Sequence, residues 1–366
     1  MSLRNNYQTA RNDFRSDTLT TPTKSMIEAV ATASIGDAVY NEDDDTIDLE
    51  EKVANIAGKE AGLFCVSGTL SNQIALRTHL YQPPYSIICD YRAHIYCSEA
   101  AGIAMLSNAM VSPVIPSNGD YLTLEDIKKR FIPDDGSVLG APTKLISLEN
   151  TLHGVVYPLE ELKRISKFCK EVNIPLHCDG ARLWNASIST GVSIKEYGEL
   201  FDTISLCLSK SLGAPIGSVL VGPKEFIRKA NHFRKQNGGG IRQSGMLSRM
   251  AIVAIDENWS KVKEAHGYAK EFGDFVSSHG IVLESPVDTN FVFVDVEKSE
   301  IDEQVLLETS LKYNLTIRPS GRIAFHYQND RESVDALKKV FVEALEISKA
   351  RPESSQGDEY KYRSGY

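Results

Sequence analysis

Pro175-Leu176-His177-Cys178-Asp179 and Ile204-Ser205-Leu206-Cys207-Leu208-Ser209-Lys210 decide the fold. Each is an apolar run of strand length that ends on a charged residue. The charged ends are 210 − 179 = 31 residues apart. That is room for one strand–helix–strand step, which sets both on neighbouring parallel strand ends. Taken singly, such an acid is an ordinary helix cap and such a lysine an ordinary surface residue.

The same alternation extends outward in both directions. Residues 61–66, 86–89, 109–115, 145–148, 174–178, 203–208 and 217–221 read as strands. Residues 70–80 and 158–172 read as helices. In the second, Leu159, Leu162, Ile165 and Phe168 share one face and Pro158 suits a first turn. Strand and helix in alternation predict an α/β protein with a mostly parallel sheet covered on both faces. Near Asn258 the character changes. A charged helix pattern over 260–279, strands over 281–284, 291–296, 315–318 and 322–325, and a closing helix over 334–350 predict a smaller α+β unit. The expected organisation is an N-terminal segment (1–25), a large domain (26–258), a small C-terminal domain (259–350) and a disordered tail (351–366) rich in Ser, Gly, Glu and Lys.

In an open α/β sheet, ligands bind beyond the carboxyl ends of the strands. The polar residues just past the apolar runs are therefore the candidates. They are Ser67-Gly68-Thr69, His94, Glu149-Asn150, Asp179 and Lys210. An acid, a lysine, a histidine and a hydroxyl-rich turn on one edge match the needs of pyridoxal 5′-phosphate (PLP). The lysine bonds the cofactor. The acid keeps the pyridine nitrogen protonated so that the ring can accept electrons. The turn at a helix N-terminus cradles the phosphate.

The sequence also resembles the threonine aldolases. The resemblance rests on Arg15-Ser16-Asp17-Thr18-Leu19-Thr20 with Pro22-Thr23, Gly36-Asp37 with Val39-Tyr40 and Glu42-Asp43, and Ser67-Gly68-Thr69 with Asn72-Gln73. It continues through Leu148-Glu149-Asn150-Thr151, Asp179-Gly180-Ala181-Arg182-Leu183-Trp184-Asn185, Ser209-Lys210 and Gly238-Gly239-Gly240-Ile241-Arg242-Gln243. These motifs span residues 15–245 in family order. The resemblance implies the aspartate-aminotransferase-like PLP architecture, fold type I, and a homotetramer. It implies that Lys210 bonds the cofactor, that Asp179 meets its pyridine nitrogen, and that His94 stacks on its ring. Ser67, Gly68 and Thr69 would hold its phosphate. Ser16 and Arg182 would hold the substrate carboxylate, with Arg182 at the edge of the cofactor pocket. Arg322, in Gly321-Arg322-Ile323, would be a second carboxylate ligand, and Arg242 would reach a phosphate across a subunit interface. Two positions depart from the family pattern. Ala38 stands where many members have a second Asp. Leu152 stands directly after Asn150-Thr151 where many have His, and His153 comes next. The implied reaction is cleavage of L-threonine and L-allo-threonine to glycine and acetaldehyde, with His94 or His153 as the base. The alternative is another fold type I PLP enzyme acting on amino acids, a β-eliminating lyase or an aminotransferase.

Composition narrows the field further. The chain has 366 residues, 42% hydrophobic and 24% charged, with a formal net charge of −9. That balance fits a globular protein and disfavours a nucleic-acid partner. No apolar stretch approaches the roughly 20 residues of a membrane span. The N-terminus is polar and mixed in charge, unlike a secretory signal, so the cytosol is expected. The six cysteines lack metal-binding spacing and are expected as buried free thiols, with no metal site. No G-x-G-x-x-G follows the first strand, which argues against a dinucleotide-binding protein.

Overall fold

A computed structural model describes residues 9–350. The tail 351–366, expected to be disordered, lies outside the described residues, as do residues 1–8. In chain order the first elements are α1 (Lys24–Ala29), α2 (Asp44–Ile56), β1 (Ala61–Cys65), α3 (Gly68–His79), β2 (Ser86–Asp90), α4 (His94–Cys97), β3 (Met110–Val114), α5 (Leu124–Arg130) and β4 (Thr143–Glu149). Then come α6 (Leu159–Glu171), β5 (Leu176–Gly180), α7 (Leu183–Thr190), α8 (Ile194–Gly198), β6 (Thr203–Cys207), β7 (Ser218–Gly222), α9 (Lys224–Gln236) and α10 (Gly245–Asn258). The chain continues with α11 (Val262–Ser278), β8 (Phe291–Phe293), α12 (Glu303–Lys312), β9 (Arg322–Ala324) and α13 (Arg331–Ala350).

β1 to β7 form one sheet in the order β1-β7-β6-β5-β4-β2-β3. β7 runs opposite to the other six strands, which are mutually parallel. Every residue of β2, β5, β6 and β7 is buried, as expected of strands covered on both faces. The helices are fixed locally. Ser193 and Glu196 form a reciprocal cap on α8, and Gly191 closes α7 with φ +74°. α6 lies on the sheet through buried Leu162 and Ile165, with Leu159 and Phe168 partly buried at the edge of the same core. β5 and β6 are neighbours and parallel, the placement the 31-residue spacing predicts.

The C-terminal third has its own core, in which Phe272, Val292, Ile323, Phe325, Leu337 and Phe341 meet. Two of its expected strands are absent. Residues 281–284 and 315–318 each make a single bridge, Leu283 to Val294 and Thr316 to Asp13. β8 and β9 are only three residues long, so little ladder is available for a further strand to extend. The bridge to Asp13 also shows where the N-terminal segment goes. Phe14 is fully buried in this second core, and its backbone N–H donates to Thr316 O (2.8 Å). All six cysteines are free, and Cys97 is exposed rather than buried. Among the described residues no helix is long and apolar enough to cross a membrane.

Candidate active site

The carboxyl ends of β1, β2, β4, β5 and β6 share one edge of the sheet. β1 leads into Ser67, whose side chain accepts a hydrogen bond from Leu70 N–H (3.1 Å) and caps α3. A Cβ added at Gly68 would meet nothing within 4 Å. The first turn of α3, including Thr69, thus has a gap beside its unpaired amides, and an anion fits there.

Asp179 lies near the end of β5 and is buried. One carboxylate oxygen accepts from Ala181 N–H (3.0 Å), the other from the Asn72 amide (2.8 Å). Asn72 gives a second amide contact to Glu99 (3.0 Å). Its own oxygen faces His177 Nε2 (3.3 Å). Burial holds His177 at about 4, so that ring stays neutral. Glu99 is also buried, accepts from Gln73 Nε2 (2.5 Å) and faces His94 Nδ1 (2.8 Å). Burial alone would lower the His94 pKa, but the hydrogen bond to Glu99 and nearby carboxylates raise it. Atoms of His94, Glu99 and Asp179 lie within 4.8 Å of one another.

Glu149, Asp179 and Ser205 stand in register across β4, β5 and β6. Burial, reinforced by Asp179, pushes Glu149 up to about 7, and its carboxylate accepts from His94 N–H (2.9 Å). The buried Ser205 hydroxyl has no partner among the described residues. Lys210 lies three residues past β6 and is half-buried. Its carbonyl accepts from Gly213 N–H (2.9 Å), and Gly213 has φ +78°. A side chain at Gly213 would also strike Tyr327, so the loop carrying Lys210 requires glycine there.

Arg182, just beyond β5, forms a two-pronged pair with the buried Asp17. Nε and Nη2 donate at 2.8 and 2.6 Å. Its guanidinium lies 4.5 Å from the centre of the Phe291 ring, and that of Arg322 lies 4.7 Å from the same ring. Two cations therefore flank one aromatic side chain. Ser16 accepts from Thr18 N–H (3.3 Å) and caps the short turn Asp17–Leu19. His153 has φ +49° and stacks on Phe293 at 5.7 Å. Burial and the charges of Arg92, Arg322 and Arg182 depress its pKa to about 4. Arg242 is not joined to this network. It is exposed and pairs with Asp37 (2.7 Å) of its own chain.

The residues fit PLP. They provide a lysine, a buried carboxylate one strand away, an anion cradle at a helix N-terminus, and an unpartnered hydroxyl in the row beside the acid. Asn72, Glu99, Asp17 and Phe291 have no role in the sequence reading. Asn72 and Asp17 lie inside quoted motifs. Glu99 and Phe291 carry no sequence signal, because only folding brings them to the site.

A family model described as beta-eliminating lyase matches residues 13–299. A low-specificity L-threonine aldolase of Eremothecium gossypii is 63% identical over 365 residues, covering 100% of this chain and 95% of the relative. One from Saccharomyces cerevisiae is 61% identical over 359 residues, covering 98% and 92%. The solved threonine aldolase of Leishmania major superposes with a TM-score of 0.71 at 20% identity, covering 92% of this chain and 98% of that one. That neighbour supports the fold type I architecture, and the close relatives supply the kinship. With likeness along its whole length, and with Lys210 just past the strand beside the one that carries Asp179, the chain belongs to the beta-eliminating lyase family, among the low-specificity L-threonine aldolases.

Proposed function

We propose that this protein is a PLP-dependent aldehyde-lyase that cleaves L-threonine and L-allo-threonine to glycine and acetaldehyde. The observation that carries the reading is the pairing of two features, one at the edge of the large sheet and one where Arg182 meets the small sheet. Asp179 lies near the end of β5 and Lys210 three residues past the adjacent parallel strand β6, and two guanidiniums, Arg182 and Arg322, meet at Phe291. The second feature suits an α-carboxylate, which Arg binds in a planar, charge-assisted geometry.

PLP, when bound, supplies the electron sink for the pair released from the Cα–Cβ bond. The chain's own residues do the rest. Lys210 would provide the amine that anchors the cofactor, and Asp179, held by Asn72 and Ala181, would hold its ring nitrogen protonated. The first turn of α3 would take the phosphate, and His94, its Nδ1 fixed by Glu99, would hold the ring. Arg182, Ser16 and Arg322 hold the carboxylate and so orient the bond to be broken. His153 takes the β-hydroxyl proton. Its depressed pKa keeps it neutral near pH 7, whereas His94 is drawn toward its protonated form by Glu99. When the substrate carboxylate neutralises Arg182 and Arg322, two of the charges that depress His153 are offset, and its proton affinity rises. One proton leaves the hydroxyl and one is delivered to Cα, so the cleavage is redox-neutral. We place the enzyme in the cytosol as a homotetramer with large and small domains meeting near residue 258.

The test is product analysis. Acetaldehyde and glycine should appear in equal amounts from both isomers, and Lys210→Ala should purify colourless and inactive. Ammonia with a 2-oxo acid would instead identify a β-eliminating lyase, and amino transfer to an added 2-oxo acid an aminotransferase.

A further inference from the structure

We propose that Asp17 is a positioning residue that aims Arg182 at the substrate carboxylate, so that recognition of an α-amino acid depends on a group that never touches it. The proposal rests on the reading of Arg182 as a carboxylate ligand.

Asp17 is fully buried. One oxygen accepts from Arg182 Nε (2.8 Å), Ser211 Oγ (2.8 Å) and Asn290 Nδ2 (3.2 Å); the other accepts from Arg182 Nη2 (2.6 Å). Arg182 thus spends its Nε–Nη2 edge on Asp17, which leaves the Nη1 side of the fork for a ligand. Burial alone would raise the Asp17 pKa, but the charge and hydrogen bonds of Arg182 hold it well below the usual carboxylate range. It remains an anion throughout the working pH range. Its partners come from three parts of the chain. Arg182 follows β5, Ser211 follows Lys210, and Asn290 precedes β8. Asn290 is itself fixed by donating to Phe325 O (3.0 Å) and accepting from Asn185 (3.0 Å). The guanidinium therefore has one orientation, set by the docked N-terminal segment. An arginine free to rotate would lose that preorganisation.

The experiment titrates the holoenzyme with glycine and with methylamine, an amine that lacks the carboxylate, by calorimetry. In Asp17→Asn the glycine Kd should rise on the order of 100-fold, because a charged hydrogen-bonded pair is broken while Arg182 stays buried. The methylamine Kd should stay within about 2-fold, and Asp17→Glu should recover part of the loss. Equal weakening of both ligands, or no change for glycine, would overturn the proposal. If Asp17→Asn does not fold, Ser211→Ala decides. It should raise the glycine Kd several-fold and leave methylamine unchanged, and an unchanged glycine Kd would reject the assignment. A wild type that binds glycine but leaves L-threonine intact would refute the aldolase reading without touching this one.

Discussion

At the scale of single residues, the two candidate bases are set apart by their surroundings. His94 faces the Glu99 carboxylate at 2.8 Å and is raised above its ordinary pKa. His153 sits among three arginines and is depressed to about 4. A base works only when unprotonated, so the rate falls as pH drops through its pKa. If His153 is the base, kcat/KM should stay level from pH 7 down to about 5 and fall only on approach to 4. His153→Phe should remove that limb and cost about 10²- to 10⁴-fold in rate. A limb near 7 that survives in His153→Phe would give the role to His94 or to Glu149, whose carboxyl burial pushes up to about 7. The sequence names both histidines but cannot rank them. The ranking depends on Glu99, Arg92, Arg182 and Arg322, which are adjacent only after folding.

Elements were legible where the pattern is long and regular. The strand runs and the helix α6 follow directly from apolar spacing and turn chemistry. The short pieces were not. Residues 281–284 and 315–318 have strand-like composition but make only single bridges, because pairing requires a partner ladder that the sequence does not specify. The start of α3 shows how an element becomes a site. Gly68 opens the helix with a conformation that any residue can adopt, and nothing stands within 4 Å of an added Cβ. Gly68→Ala should therefore leave thermal stability unchanged or raise it by up to about 1 kcal/mol. The methyl would occupy the gap proposed for the phosphate, so PLP affinity should fall by about 10-fold or more. Normal PLP affinity in Gly68→Ala would place the phosphate elsewhere. Calorimetry of the cofactor-free protein and cofactor titration together make the check.

For the whole molecule, the proposed homotetramer needs surface that a neighbouring copy can cover. Ile35, Tyr40, Met105, Ile115, Val138 and Leu139 are each at least 70% exposed. Side chains exposed singly are ordinary on a protein surface, so the oligomeric state is decided by measurement. Arg242, exposed beyond the Gly238-Gly239-Gly240 loop and held by Asp37, is the residue proposed to reach a neighbour's phosphate. Light scattering with activity measured across a dilution series should show a tetramer and loss of activity on dissociation. Arg242→Ala should raise the PLP Kd by roughly 10-fold, the worth of one charge-assisted hydrogen bond. An active monomer would refute the shared site. The motifs carry the family resemblance, while patterning along the sequence determined the α/β order and the adjacency of the two parallel strands that lead to Asp179 and Lys210. These depend on local patterning and on spacing along one strand–helix–strand step, which a linear chain records directly. Only the tertiary structure decided that Asp17 grips Arg182, that Asn72 ties Asp179 to Glu99, and that Phe291 lies against two arginines. Those contacts join residues 27 to 165 positions apart, and their energies come from burial and charge environments that do not exist until the sheet, the N-terminal segment and the C-terminal core have come together.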